Sequence, residues 1–443
     1  VKNWAGNVTF GTERHVTPGT IDELSELVSR SPKIKVQGSK HSFNTIADST
    51  DTLVSLKKFN QIGEPDSETR SVRIGGGVTY GELAVHLQER GWAVSNLASL
   101  PHISVIGACA TATHGSGRTN KNLSNQLLDL EVMGQDGNIR QIAAGSPEAK
   151  LAAVGLGAIG LITAATVRIE PTFQVQQWVY EDLPFDVLTS YFDAVSSHGY
   201  SLSLFTKWTG DTIDQMWVKE RTGGLFEGRS ECFGAKRATE KLHPLKEMDP
   251  VNCTDQLGVP GPWSERLAHF KLEFTPSAGE ELQSEFFVDF KCATEAITAL
   301  RQLGSELAPL LFVSEIRFVA ADDLPMSPAY GTDIVALHFT WRPVWDQVRA
   351  VLPKIEEALA PFGARPHFGK LFTMSPTRLA EVYPRLPELR TYAHQVDPEG
   401  KFMNDFLTNC VFTNRQSRPS ATYSTTTTSL EPSEQKIHLG TSS

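Results

Sequence analysis

The chain has 443 residues, 40% apolar and 21% charged, an ordinary globular composition but too long for one core; at about 150 residues per domain it divides into two or three. A net charge of −10 gives no electrostatic ground for binding nucleic acid or an anionic membrane, and no Lys/Arg-rich block offsets it. Cys109, Cys232, Cys253, Cys292 and Cys410 are scattered, with no CxxC pair, which argues against a disulfide framework or a metal site and for reduced thiols in a cytoplasmic protein.

Residues 1–7 lack the basic start and apolar core of a signal peptide. Residues 18–31 read as a helix with Thr20 as N-cap, Glu23 at the capping-box spacing, and Leu24 and Leu27 on its apolar face. Residues 33–37 alternate as a strand broken by Gly38-Ser39. Residues 53–56, 71–74 and 128–133 read as further short strands, and residues 80–90 as a helix stopped by Gly91. Residues 134–137 form a turn between strands at 130–133 and 139–142. The charge-free stretch 151–167 is interrupted by Gly155, Gly157 and Gly160. It is short for a membrane span of about 20 residues and fits a buried helix end followed by a buried strand. Its GxGxxG match is set aside because the preceding residues 146–154 are helical, so a Rossmann strand–turn–helix is missing. Short strands with few helices make the first 170 residues α+β.

After Pro171 the pattern changes. Strands at 176–179 and 201–205 flank helical residues 184–197, and the aromatic alternation over 200–218 suits a large antiparallel sheet. Residues 223–261 are irregular and rich in Gly and Pro. Helices are expected at 293–307 and 343–359, with strands at 310–319 and 334–341 between them. The Ser/Thr-rich tail, 413–443, is expected to be disordered.

Three segments bear on chemistry. Gly38-Ser39-Lys40-His41-Ser42-Phe43-Asn44 follows a strand directly. Its glycine permits a tight turn, successive N–H groups make an anion nest, and His41 lies on the turn. The glycines at 75–77 mark either a tight turn or close backbone approach to a ligand, the turn being the simpler reading. Residues 96–117 contain no charged side chain and are full of Gly, Ala, Ser and Thr, so backbone can lie flat on a large ligand while hydroxyls and N–H groups meet its polar edges. His102 and His114 in that segment are hard to explain by packing alone. In the second half, Glu315 and Arg317 share one strand face, as do His338 and Thr340; if those strands pair, the four converge. With Lys370 in an apolar setting, they suggest a polyol or sugar site.

In this order the segments resemble the vanillyl-alcohol-oxidase type of flavoprotein, and within it the bacterial alditol (xylitol, sorbitol) oxidases. The resemblance runs from Asn3 to about Phe412. It rests on residues 38–44, 96–117, 251–270 (with Gly261-Pro262-Trp263), 315–317, 327–341 and 365–373. It implies a two-domain α+β flavoprotein: a PCMH-type FAD-binding domain at 1–170, completed by 372–412, and a substrate-binding cap at 171–371 built on a large antiparallel sheet flanked by helices. FAD would be bonded through its 8α-methyl to His41. Gly38, Ser39, Ser42, Phe43, Ser99, Ser104, Gly107, Thr111, Thr113, His114 and Gly115 would surround it, with Ile162 as a backbone contact. Lys40 stands where the family carries glycine. The implied substrate pocket is lined by Ser99, Glu315, Arg317, His338, Thr340 and Lys370, the catalytic candidates being Lys370, Arg317, Glu315 and His338.

The implied reaction is hydride transfer from a terminal carbinol to the flavin, then reduction of O2 to hydrogen peroxide. Lys370 and Arg317 would contact the reacting hydroxyl, with Lys370 the candidate base. A small polyol and O2 are the expected partners of a monomeric, soluble protein. Two rivals stand: an aldonolactone oxidase or dehydrogenase of the same fold, sharing His367-x-x-Lys370, and a non-catalytic sugar-binding protein. The Gly-Pro-Trp segment and the strand at 334–341 favour the alditol branch; His41 and the intact glycine-rich segments argue against a non-catalytic protein.

Overall fold

A computed structural model describes residues 1–273 and 281–413. The expectation of a disordered tail lies, beyond Thr413, outside these residues. The helix Ile21–Arg30 starts at Thr20, whose hydroxyl accepts from Glu23 N; the Glu23 carboxylate reaches back one residue further than a capping box requires, to Gly19 N (2.6 Å). Buried Leu24 and Val28 fix the helix on a small parallel sheet in the order His15–Val16, Thr52–Val54, Ile34–Val36. The two-residue strand His15–Val16 is too short to leave a periodic signal. A second, antiparallel sheet follows in the order Ser71–Gly75, Leu161–Arg168, Leu127–Met133, Ile139–Ile142. Gly75, Gly76 and Gly77 are explained here without a ligand. A Cβ on them would lie 2.1 Å from Phe59 O, 2.3 Å from Ile162 O and 2.0 Å from Leu56 O, so backbone packs directly on backbone.

The other half is a ten-stranded antiparallel sheet. Its central order is Gln174–Pro184, Thr212–Arg221, Ser201–Thr206, Leu311–Val319, Ile334–Trp341, Leu282–Asp289. Period-two alternation divides its faces. Leu204, Ile316, Phe318, Leu337, Phe339, Trp341 and Phe286 point to a closed core with Ile297 and Leu300 of helix Ala293–Gln302 and Val348, Leu352 and Ile355 of helix Trp345–Leu359. Each such side chain contributes about 1.5–3 kcal/mol by leaving water, so a charge at Leu337 would break this layer. The opposite face carries the polar residues and looks toward the smaller sheets. The architecture is two-domain and α+β, with a large antiparallel sheet flanked by helices.

Three expected elements differ in extent. The strand over 176–179 runs from Gln174 to Pro184, extended by its pairing with Thr212–Arg221. The helix over 293–307 stops at Gln302 and resumes at Gly304–Leu307, because Gly304 sits against Trp208, where a Cβ would lie 2.2 Å from the Trp208 carbonyl oxygen. The helical stretch 184–197 is two short helices, Phe185–Ser190 and Phe192–Ser196, broken at Tyr191. Among the described residues no helix is long and apolar enough to cross a membrane.

Candidate active site

Between the polar face of the large sheet and the smaller sheets lies a cleft. Residues 38–44 form one wall. Gly38 and Gly107 both press on Ser104, where a Cβ would come within 2.4 and 2.5 Å of its hydroxyl oxygen, and Ser104 N donates to Ser39 Oγ (3.3 Å). The loop is tied to the Lys370 segment: Phe43 N donates to Gly369 O (2.8 Å), and Asn44 Nδ2 to the carbonyls of Phe368 and Lys370 (both 2.8 Å). His41 Nδ1 lies 2.9 Å from Ser39 O, while its buried Nε2 has no hydrogen-bond partner. Burial pushes the imidazole down to about 4 against the opposing Ser39 carbonyl, so the ring is neutral at pH 7. Lys40, the non-glycine beside it, has φ +63°, a left-handed conformation that costs an L side chain about 1–2 kcal/mol.

Ser39, Ser42, Phe43, Ser99, Thr111, Thr113 and His114 border the same cleft. Gly115 and Ile162 do not. Gly115 lies against Asn96, where a Cβ would come 2.3 Å from Oδ1, and Ile162 is buried in the strand Leu161–Arg168, whose first residue reaches the cleft. His102 turns away to Leu272 O (2.7 Å). The donor set fits FAD: small residues and hydroxyls along the cleft, with one unpartnered neutral imidazole nitrogen beside it.

Across the cleft, three strands place Glu285, His338 and Glu315 side by side in register, with Arg317 and Thr340 each two residues further along its strand, on opposite sides of that row. Each carboxylate holds a cation. Lys370 Nζ donates to Glu285 Oε2 (2.8 Å) and Arg317 Nε to Glu315 Oε1 (2.5 Å); Arg317 Nη2 also donates to Ser99 Oγ. Each carboxylate also meets a buried histidine: His114 Nε2 at 3.2 Å from Glu285 Oε1, and His269 Nε2 at 2.8 Å from Glu315 Oε1. His338 Nδ1 is 3.2 Å from Lys370 Nζ and its Nε2 3.3 Å from Thr340 Oγ1, which assigns the Nε2–H tautomer.

Desolvation pushes both carboxyls up, but the adjacent cations and histidine hydrogen-bond donors outweigh it. Lys370, His114 and His338 hold Glu285 well below the usual range, and Arg317 and His269 do the same for Glu315. Burial, then Lys370, drives His338 down to about 3; burial drives His269 to about 4 and His367 to about 3. The site therefore pairs two carboxylates with two cations around neutral imidazoles, an arrangement suited to an uncharged polyhydroxy ligand.

Arg317, His338, Lys370 and Ser99 reach the cleft; Thr340 and Glu315 do not border it, and Glu315 is engaged by Arg317 and His269. Sequence reasoning missed Glu285, Gln283 and His269. The alternation Gln283-x-Glu285 inside an apolar strand was the available signal for the first two. His269 had none. It is placed by buried Lys219, whose ammonium donates to the carbonyls of Arg266, Leu267 and Ala268 (2.6–2.8 Å).

Residues 12–143 match the family described as an FAD binding domain, and residues 279–410 match D-arabinono-1,4-lactone oxidase. The chain is 44% identical to an alditol oxidase from Streptomyces sp. over 92% of its own length and 98% of that protein's. It is 23% identical to an L-gulonolactone oxidase from Scyliorhinus torazame (93% and 98% covered) and 24% identical to an L-gulono-1,4-lactone dehydrogenase from Mycobacterium tuberculosis (91% and 97%). Among solved structures, cholesterol oxidase from B. sterolicum superposes with a TM-score of 0.76 at 13% identity, covering 92% of this chain and 95% of that one, which establishes a shared fold.

Proposed function

The chain belongs to the alditol oxidase family of FAD-dependent oxidoreductases, and from that premise we propose that it oxidises the terminal carbinol of an alditol such as xylitol or sorbitol to the aldose, with O2 reduced to hydrogen peroxide. Bound FAD supplies the hydride acceptor and the route to oxygen. Residues 1–170 with 372–412 hold it, through a covalent bond to His41, and residues 171–371 shape the substrate side. Lys370 and Arg317 face the reacting hydroxyl and stabilise the negative charge that grows on its oxygen as hydride leaves. Ser99 and His338 hydrogen-bond the remaining hydroxyls, with Thr340 acting through His338. Glu315 and Glu285 act by fixing the two cations.

The observation that carries the reading is the charge-balanced row Glu285–His338–Glu315 with Lys370 and Arg317 beside the His41 loop. A neutral polyol offers hydroxyls to Glu285, His338, Lys370 and Arg317, the members of that row that border the cleft; an apolar alcohol would displace water from them without replacing its hydrogen bonds. The more distant identity to the lactone enzymes weighs against the aldonolactone reading. The test is anaerobic mixing of the FAD-loaded protein with xylitol or sorbitol. Bleaching of the oxidised-flavin absorbance is expected, and a spectrum unchanged by either polyol would overturn the proposal.

A further inference from the structure

A segment with no assigned role grips the loop that carries His41. Trp4 N donates to Lys40 O (2.9 Å), Asn3 Nδ2 to Ser42 O (2.9 Å) and Asn7 Nδ2 to Phe43 O (2.8 Å). The gripping side chains are themselves braced: Asn3 Oδ1 accepts from Val8 N (3.0 Å), and Asn3 Nδ2 also donates to Asn7 Oδ1 (2.8 Å). The Trp4 indole lies flat over the His41 ring, centroids 5.0 Å apart and planes 19° from parallel, and meets Phe43 edge-on at 6.3 Å. Within this grip Lys40 holds its left-handed conformation, and a non-glycine turn of that kind persists only where its surroundings over-determine it. Ser39 O fixes one edge of the imidazole, the indole fixes its plane, and Nε2 is left unpartnered in the cleft wall.

We infer that Trp4, with Asn3 and Asn7, is a positioning device that holds the His41 imidazole in the attitude needed to bond to FAD. The inference rests on the proposed covalent attachment. In that step an imidazole nitrogen of His41 forms a bond to the 8α-carbon, while one C–H bond there and the imidazole N–H bond break. The two protons and two electrons released end on dioxygen as hydrogen peroxide, dioxygen being the oxidant the proposed reaction already uses. A neutral imidazole keeps a lone pair for this bond, and a ring free to turn about its side-chain torsions would meet the carbon in few of its orientations.

The experiment uses the full chain, expressed under riboflavin limitation and then supplied with FAD and air. Acid-stable flavin is followed over time beside total bound flavin and melting temperature. Wild type should convert bound FAD to the acid-stable form and His41→Ala should not. Trp4→Ala should bind FAD to full occupancy yet convert it roughly ten- to a hundredfold more slowly. Trp4→Phe, which keeps a ring over the imidazole, should convert at near the wild-type rate. Trp4 is partly buried at the edge of the large-sheet core, and the melting temperature separates a loss of packing from a loss of positioning. Conversion by Trp4→Ala at the wild-type rate would overturn the positioning role, as would a loss of total flavin binding in proportion to acid-stable flavin. Wild type with no acid-stable flavin would overturn the covalent attachment itself, and that arm is read without any Trp4 variant.

Discussion

Replacing Glu285 with Gln removes one charge from the row and leaves Lys370 without its counter-ion. At 2.8 Å and an effective dielectric of about 20, the lost attraction is bounded near 6 kcal/mol. Truncating one partner of a buried pair costs about 3–5 kcal/mol, and 15% residual exposure of the Lys370 side chain lets water recover part of it, so a loss of about 2–4 kcal/mol is expected. The pH dependence follows from the direction of the shift. The folded carboxyl titrates well below its ordinary 4.5, so its stabilisation is complete above that value and is lost as pH falls further toward the folded titration. Urea unfolding of wild type and Glu285→Gln should therefore show a gap that is flat from about pH 7 to 5 and narrows below about 4.5. A gap under about 1 kcal/mol at pH 7, or one that does not narrow in acid, would refute the reasoning.

Three further outcomes are expected. His41, His269, His338 and His367 are neutral in the folded protein down to about 3 or 4 but bind protons at 6.5 when unfolded. Stability should thus fall as pH drops below 6.5, by up to about 1.4 kcal/mol per pH unit for each histidine, and His367→Gln should remove one histidine's share of the slope in urea titrations at stepped pH. Lys40→Gly should raise the unfolding free energy by about 0.5–1 kcal/mol, read as a higher urea midpoint, since relief of about 1–2 kcal/mol at φ +63° exceeds the added chain entropy of glycine; a lowered midpoint would contradict the strain. Lys370→Ala should slow flavin reduction by polyol roughly a hundredfold or more in anaerobic stopped flow, and an unchanged rate would remove Lys370 from the chemistry.

Much of this was legible in the residues themselves. Period-two spacing put Glu315 with Arg317 and His338 with Thr340 before any pairing was known, and the strands do pair with Glu315 opposite His338. The charge-free Gly/Ala/Ser/Thr run and the Gly38–Asn44 loop marked a surface made for close approach. What was not legible depends on contacts far apart in sequence. Glu285 is hidden in the run Phe286-Phe287-Val288, and its meaning comes from His114, 171 positions away, and from Lys370. His269 lies outside any strand and is placed by the carbonyls that Lys219 gathers. The left-handed Lys40 and the clamp over His41 could not be foreseen, because Asn3, Trp4 and Asn7 act through backbone carbonyls on the loop, which no side-chain pattern encodes.

The most direct test of the central claim is hydrogen peroxide formation by the FAD-loaded protein, with xylitol and L-gulono-1,4-lactone assayed in parallel. Peroxide from xylitol with little from the lactone is expected of a charge-balanced polyol site. Peroxide from the lactone alone would contradict the alditol assignment and move the chain to the aldonolactone branch.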